Sequence, residues 1–188
     1  MKIYAISDRK PANGLYDRIM DYRPDVILTL GDLSYFDLQD LARINDIPKL
    51  GVYGNHCTRG YMNELGIVDV HLKTLVIQGV SFAGFEGCVR YKESQYAPMY
   101  TQSEAEEMMI NFPKVDIFIS HCPPFGVNDS PEDISHQGFY ALKDYLITQK
   151  LQYWFHGHAY PVAPVTYISP TSIEYVYQNP PQLTQYDY

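Results

Sequence analysis

The chain has 188 residues, of which 46% are hydrophobic, and its formal net charge is −8 at pH 7. This length fits one domain with a sizeable core, and no apolar run of about 18 residues predicts a membrane-spanning helix. The acidic balance disfavours non-specific binding to nucleic acid or anionic lipid, so we expect neither a membrane nor a nucleic-acid partner. It does not exclude a phosphate substrate, because bound cations dominate the field around them.

The cysteines and the N-terminal sequence indicate a compartment. Cys57, Cys88 and Cys122 cannot all pair, and the strand-like residues 1–8 lack the long apolar region of a secretory signal. We therefore predict reduced thiols in a cytoplasmic protein. Cys57 and Cys122 each follow a motif histidine, and burial as small side chains is a simpler interpretation than a metal or redox role.

The first third of the chain alternates between strand and helix patterns. Apolar runs predict buried strands at 3–6, 25–30 and 48–53, and helical periodicity predicts helices at about 12–22 and 37–44. This alternation is typical of parallel β-α-β units.

The remaining elements begin with a predicted hairpin, 71–77 and 80–85, that turns at Gln78-Gly79. An N-cap pattern at Thr101 predicts a helix to about residue 110. The later predictions are strands at 115–120, 151–156, 162–167 and 173–177, a polar loop at 126–137 and a helix at 138–148. We assign 1–177 to one domain and 178–188 to a tail rich in Pro, Gln and Tyr.

Polar residues follow five of the predicted strands at the points where the strands end. The five motifs are Ser7-Asp8, Leu30-Gly31-Asp32, Gly54-Asn55-His56, Ser120-His121 and Phe155-His156-Gly157-His158. Ligands delivered from strand ends can converge on one rim of a sheet, which is how an α/β fold builds a metal site.

This ordered set resembles the calcineurin-like metallophosphoesterase family, whose signature reads D-x-H, G-D, G-N-H-(D/E), a lone His and G-H-x-H. The resemblance extends from Asp8 to about Tyr160. It implies an α/β fold, a four-layer α-β-β-α sandwich of two packed mixed sheets with flanking helices. It also implies two divalent metals that share a bridging aspartate, here Asp32.

The family's second metal site is complete in this chain. By resemblance, its ligands are Asp32, Asn55, His121 and His158. Carboxylate, amide and imidazole ligands suit a divalent ion such as Mn²⁺, which we expect, with Fe or Zn²⁺ as alternatives.

The first metal site departs from the family pattern. Lys10 replaces the histidine of D-x-H and Tyr160 replaces the last histidine of G-H-x-H, which leaves Asp8 and Asp32 as metal ligands. Three interpretations follow. The Lys10 ammonium stands in for the ion as a fixed charge. Alternatively, Tyr35 completes the site, as the tyrosine of G-D-x-x-Y does in purple acid phosphatases, although packing is the simpler role for Tyr35. In the third interpretation the site has decayed and the protein is no longer an enzyme.

The chain is also similar to a branch of small cytoplasmic proteins within this superfamily. The shared stretches are Ser7-Asp8, 31–36, Glu86-Gly87, Arg90-Tyr91, Gln95-Tyr96, 101–104 and 136–139. That branch tends to lack the first-motif histidine, so Lys10 follows a branch property, whereas Tyr160 departs even from the branch.

The resemblance makes His56 the general acid, because in the family this histidine faces the substrate and protonates the leaving oxygen. Cys57 occupies the place of its usual acidic neighbour. Arg90 and His136 are candidate substrate-binding residues, with exposure to solvent as the alternative for Arg90. His71 and His156 are expected to be structural.

We therefore expect a metal-dependent hydrolase of a small phosphate ester, more specifically a phosphodiester, with monoesters as an alternative. The alternative from another class is a catalytically weakened metallophosphoesterase fold that acts as a binding module. The two replaced ligands favour this alternative, whereas His56 and the complete second-metal set favour the enzyme.

Overall fold

The computed structural model describes residues 1–11, 13–161, 165–176 and 184–185. The strands are β1 (Lys2–Ile6), β2 (Val26–Thr29), β3 (Lys49–Gly51), β4 (Val68–Asp69), β5 (Thr74–Ile77), β6 (Val80–Phe85), β7 (Cys88–Val89), β8 (Met99–Tyr100), β9 (Ile117–Ser120), β10 (Tyr153–His156), β11 (Val165–Ile168), β12 (Thr171–Tyr175) and β13 (Thr184–Gln185). The helices are α1 (Leu15–Tyr22), α2 (Tyr35–Leu38), a 3-10 helix (Gln39–Arg43), α3 (Tyr61–Glu64), α4 (Gln102–Met109) and α5 (Tyr140–Gln149).

The strands form two mixed sheets. The first has the order β13-β1-β2-β3-β4, in which β1 to β4 are parallel and β13 is antiparallel to β1. The second has the order β11-β12-β10-β9-β6-β5, with four parallel strands between antiparallel edge strands β5 and β11. Strands β7 and β8 form a small separate pair.

Alternating side chains on the strands create four layers. Ile3 and Ala5 of β1 join Phe82 and Ile119 of the second sheet in the core between the sheets. The intervening Tyr4 packs in a second core with residues of α1, α3 and the 3-10 helix. On the outer face of the second sheet, a third core combines strand residues with α4 and α5. The central strands are apolar on both faces because both faces are buried, and the predicted four-layer sandwich is confirmed.

Local turn chemistry shifts several predicted boundaries. The first helix begins at Leu15 because Gly14 adopts a left-handed conformation (φ +78°); residue 12 lies outside the described residues. The predicted helix 37–44 is a single turn of α2 followed by the 3-10 helix, and Ser34 with Asp37 forms a capping box at its start.

Several short elements were not predicted, namely β4, α3 and the β7–β8 pair. The first hairpin strand is shorter than predicted and begins at Thr74, and β8 precedes the helix that Thr101 caps as predicted. Of the predicted closing strands, residues 162–164 and 177 lie outside the described residues. In the predicted tail, Thr184–Gln185 pairs with β1. No helix in the described ranges is long and apolar enough to cross a membrane.

Candidate metal centre

The predicted ligands of the second metal site meet at one rim of the sandwich, where β2 and β3 of the first sheet and β9 and β10 of the second end. Ligand atoms of Asp32, His121 and His158 all lie within 4.8 Å of one another. Asn55 Oδ1 is 3.1 Å from His121 Nε2. Four residues that are distant in sequence therefore face one point.

His121 defines the chemistry of that point. Its ring is fully buried, and Nδ1 donates to the carbonyl oxygen of Leu30 at 2.7 Å. A neutral imidazole that donates from Nδ1 keeps a lone pair at Nε2. Nε2 faces Asn55 Oδ1 and Asp32 Oδ2, which is 3.4 Å away. Three electron-rich atoms facing one another need a cation between them, either a proton or a metal ion.

The neighbouring Asp32 carboxylate affects the pKa of His121. Burial acts to lower it, but the Asp32 carboxylate and its hydrogen bond outweigh burial and raise the pKa of His121 to about 9. Burial likewise acts to raise the pKa of Asp32, and His121 together with the His56 backbone holds it well below its usual range. The carboxylate that raises the pKa of His121 is therefore also one of the groups that would hold a divalent ion.

His158 is a neutral imidazole with one ring nitrogen available as a ligand atom. Nε2 donates to the carbonyl oxygen of Ser135 at 2.7 Å, which leaves Nδ1 unprotonated. Burial, followed by the proximity of His121, lowers the pKa of His158 to about 3. Its backbone is left-handed (φ +67°), as is that of Asp32 (φ +53°). Such conformations cost energy for residues with a Cβ and cluster at functional sites.

Glycines allow the motif loops to approach this closely. A Cβ on Gly54 would lie 2.2 Å from Asp32 Oδ1, and one on Gly31 would lie 2.4 Å from the Gly54 nitrogen. Gly31 also has φ +90°. The G-D and G-N-H loops lie so close together that a side chain at Gly31 or Gly54 would collide with the other loop.

Asp8 lies beside the group and holds it in place. Its carboxylate accepts the Ser7 hydroxyl at 2.7 Å and the backbone N–H of His158 at 3.0 Å. Burial raises the pKa of Asp8, and His121 partly offsets this effect. Asp8 thus anchors the loop that carries His158, and its predicted role as a ligand of a first metal remains a prediction.

The two replacements at the first metal site both lie on the surface. Lys10 is exposed, and no hydrogen bond or ion pair in the described ranges joins it to Asp8 or Asp32. Tyr160 is 60% exposed. Tyr35 is exposed, and its ring lies edge-on to that of its exposed neighbour Phe36, with centroids 5.7 Å apart. Its packing role and its role as a metal ligand both remain predictions.

The predicted general acid, His56, is exposed on the loop at the rim, and its backbone N–H donates to Asp32 Oδ1 at 2.8 Å. The neighbouring Cys57 is buried, as predicted. Its Sγ accepts the backbone N–H groups of Asp32 and Gly54, each at 3.2 Å. This bracing role was not predicted from the sequence, where the signal was that Cys57 stands in place of the acidic residue of the resembled signature.

The two predicted substrate-binding residues differ in their surroundings. Arg90 donates to Glu104 and to the Met99 carbonyl, and its closest carboxylate distance is 2.9 Å. His136 lies at the rim, with its ring centroid 5.3 Å from that of His158 and Nδ1 2.6 Å from Asp133 Oδ2. Both substrate-binding roles remain predictions. Of the two residues, His136 is the one whose ring lies beside that of a predicted metal ligand, His158.

Histidines expected to be structural have structural contacts. His71 Nδ1 accepts the backbone N–H of Glu86 at 3.1 Å. His156 is fully buried, with Nδ1 donating to the Gly157 carbonyl and Nε2 accepting from Asn128. Burial lowers the pKa of His156 to about 4, which keeps the ring neutral.

Three residues near the rim were not predicted as site residues. The Tyr91 hydroxyl lies 3.5 Å from Asn55 Nδ2, an arrangement that keeps Asn55 Oδ1 directed at His121. Arg59 forms an ion pair with Glu86, whose side chain is 2% exposed. Glu86 and Tyr91 fall in stretches shared with the small cytoplasmic branch, whereas no sequence signal marked Arg59.

Comparisons with known proteins show the fold alone. No family model matches the chain, and no curated protein matches it in sequence. TT1561 of Thermus thermophilus is 17% identical, with a TM-score of 0.63 over 93% of this chain and 88% of that protein. A hypothetical protein from the same organism is 16% identical, with a TM-score of 0.53 over 93% and 75%. GAP50, described as the anchor in the inner membrane complex of Plasmodium, is 11% identical, with a TM-score of 0.50 over 93% and 70%.

Proposed function

We propose that this protein is a metal-dependent phosphoesterase that hydrolyses a small phosphate ester, more specifically a phosphodiester. The observation that carries the proposal is the convergence of His121 Nε2, Asn55 Oδ1 and Asp32 Oδ2, with His158 beside them. This donor set fits Mn²⁺, with Fe or Zn²⁺ as alternatives. A cytoplasmic location remains our expectation from the cysteines, all three of which are free and buried.

In the proposed reaction, some residues hold the metal ion, others orient its ligands, and His56 supplies a proton. When bound, the ion would act as a Lewis acid towards a phosphoryl oxygen and lower the pKa of water. Asp32, Asn55, His121 and His158 would hold it, and the carbonyls of Leu30 and Ser135 orient the two imidazoles. His56, which is exposed to an incoming substrate, donates a proton to the departing oxygen.

Mn²⁺-dependent hydrolysis of bis(p-nitrophenyl) phosphate tests the proposal, with the wild type measured beside His121→Ala. We expect turnover in the wild type and its loss in the variant, because Ala removes one ligand and leaves Asp32 and Asn55 without their buried partner. Cys122→Ala is the matched control, since Cys122 is a buried neighbour whose thiol donates to the Gln137 carbonyl. Equal turnover in wild type and His121→Ala would contradict the proposal.

A binding module is the second candidate function. Lys10 and Tyr160 in place of two histidines favour it, and GAP50 is a protein of this fold described as an anchor. The two candidates differ in a simple property. A module that has lost catalysis would neither retain a divalent metal during purification without chelator nor rebind added Mn²⁺.

A further inference from the structure

Arg59 lies on the loop that follows the predicted general acid, three residues after His56. Half of its side chain is exposed (51%), yet the guanidinium is held in place. Nη2 donates to Glu86 Oε1 at 2.5 Å, and the guanidinium lies over the Tyr53 ring, 5.4 Å from the centroid. A guanidinium has five N–H donors, so one ion pair leaves further donors for an anion.

The Glu86 carboxylate that holds Arg59 is buried at a cost in free energy. The Glu86 side chain is 2% exposed, and Oε1 accepts both Arg59 and the Tyr100 hydroxyl at 2.5 Å. Oε2 is buried and has no hydrogen-bond partner within the described part of the chain. Burying a carboxylate with one unpartnered oxygen costs free energy. Glu86 therefore holds the Arg59 guanidinium from its buried side and leaves the other side exposed.

The topology places this pair at the metal-binding rim. Glu86 directly follows β6, and His121 directly follows the neighbouring parallel strand β9, with Phe85 paired to Ser120. On the other sheet, the Gly87 N–H donates to the carbonyl of Tyr53 at 2.8 Å, one residue before the G-N-H motif. The loop that carries the G-N-H motif and Arg59 is therefore joined at its start to the segment that carries Glu86.

We propose that Arg59, held by Glu86, is the side chain that binds the phosphate oxygens of the substrate. The inference rests on the proposed function. Arg59 is better placed for this role than Arg90, because Arg59 lies on the loop that continues from the G-N-H motif, whereas Arg90 follows β7 and pairs with Glu104 of α4. In a chain with a net charge of −8, a fixed cation at the rim also offsets repulsion of an anionic substrate.

Binding of inorganic phosphate to the Mn²⁺-loaded protein tests the inference directly. By calorimetry, we expect Arg59→Gln to lower phosphate affinity about tenfold to a hundredfold, the usual effect of losing a charged hydrogen bond. Arg59→Lys should retain part of the affinity. Arg43→Gln is the matched control, because Arg43 is also stacked on a tyrosine, Tyr16, but lies on the 3-10 helix.

Kinetics supply a readout that a structural tether would not move. Arg59→Gln should raise KM for bis(p-nitrophenyl) phosphate more than it lowers kcat, while Mn²⁺ affinity stays at the wild-type value. A variant with lowered thermal stability but unchanged phosphate affinity and KM would make Arg59 a loop tether and overturn the inference, as would a wild type that binds Mn²⁺ but no phosphate. Failure of the wild type to bind Mn²⁺ would instead overturn the proposed function.

Discussion

At the scale of single residues, the site depends on how each histidine is held. His121 is fixed by a backbone carbonyl on one side and faces two oxygens on the other. His158 is fixed in the same way by Ser135. His56 differs, because only its backbone is bound while its side chain is exposed. His121 and His158 are thus held as the proposed metal ligands should be, and His56 is exposed as the proposed proton donor should be.

His56→Ala tests the proton-donor role through the leaving group. We expect turnover of an alkyl phosphodiester to fall by about 10²- to 10⁴-fold, because an alkoxide needs a proton to depart. Turnover of bis(p-nitrophenyl) phosphate should fall far less, since nitrophenolate departs without one. The measurement is kcat for both substrates in wild type and variant. Equal losses on the two substrates would rule out this role for His56.

Cys57→Ala tests the bracing of the ligand loops. Removing Sγ leaves the N–H groups of Asp32 and Gly54 without their acceptor, at a cost of about 1–3 kcal/mol for each unpaired group. Mn²⁺ affinity should fall together with the free energy of unfolding, and Cys57→Ser should preserve more of both. Cys88→Ala is the control, because the Cys88 thiol donates to the Val89 carbonyl. Indistinguishable Mn²⁺ affinity in Cys57→Ala and the wild type would contradict the bracing role.

The ligands were predictable from the sequence because each follows an apolar strand whose end is marked by a motif. Arg59 and Glu86 were not, since they are 27 residues apart and belong to loops of different sheets. Their contact arises only when the sheets pack. The pairing of Arg90 with Glu104 likewise joins residues on either side of the β7–β8 pair, and it leaves the Arg90 side chain 35% exposed.

At the scale of elements, burial on both faces made the central strands predictable, because their sequences are continuously apolar. The two-residue strands β4, β7 and β8 carry too few residues for a periodic pattern and form only where neighbouring chain segments meet them. The one-turn helix α3 is likewise too short for an amphipathic repeat.

His71 connects several of these elements and predicts a pH dependence of stability. It lies between β4 and β5, and its Nδ1 must stay unprotonated to accept the Glu86 N–H. Burial lowers the pKa of His71, although Glu86 and Asp69 act in the opposite direction. Because the unfolded chain takes up this proton more readily, the stabilisation is complete above about pH 6.5 and is lost as the pH falls.

Urea unfolding of the wild type and His71→Gln at about pH 7.5 and about pH 5 checks this linkage. The wild type should lose more of its unfolding free energy on acidification than the variant, which lacks the titrating ring. Parallel losses in the two proteins would show that His71 does not contribute to the acid sensitivity.

At the scale of the whole molecule, the two sheets bring ligands from both halves of the chain to one rim. Asp32 and Asn55 come from the first sheet, and His121 and His158 come from the second. The centre therefore exists only when the sandwich is assembled, so metal binding should stabilise the folded protein. Lys10 and Tyr160 replace two of the donors that the resemblance gives to the first metal site, so we expect one strong metal site per chain.

Calorimetric titration of the metal-free protein with Mn²⁺, wild type beside His121→Ala, is the decisive experiment for the metal centre. We expect one bound ion per wild-type chain and loss of that binding in the variant, because Nε2 of His121 is the donor around which the other ligands are arranged. A wild type that binds no Mn²⁺, or a variant that binds it equally well, would contradict the assignment of this cluster as a metal centre.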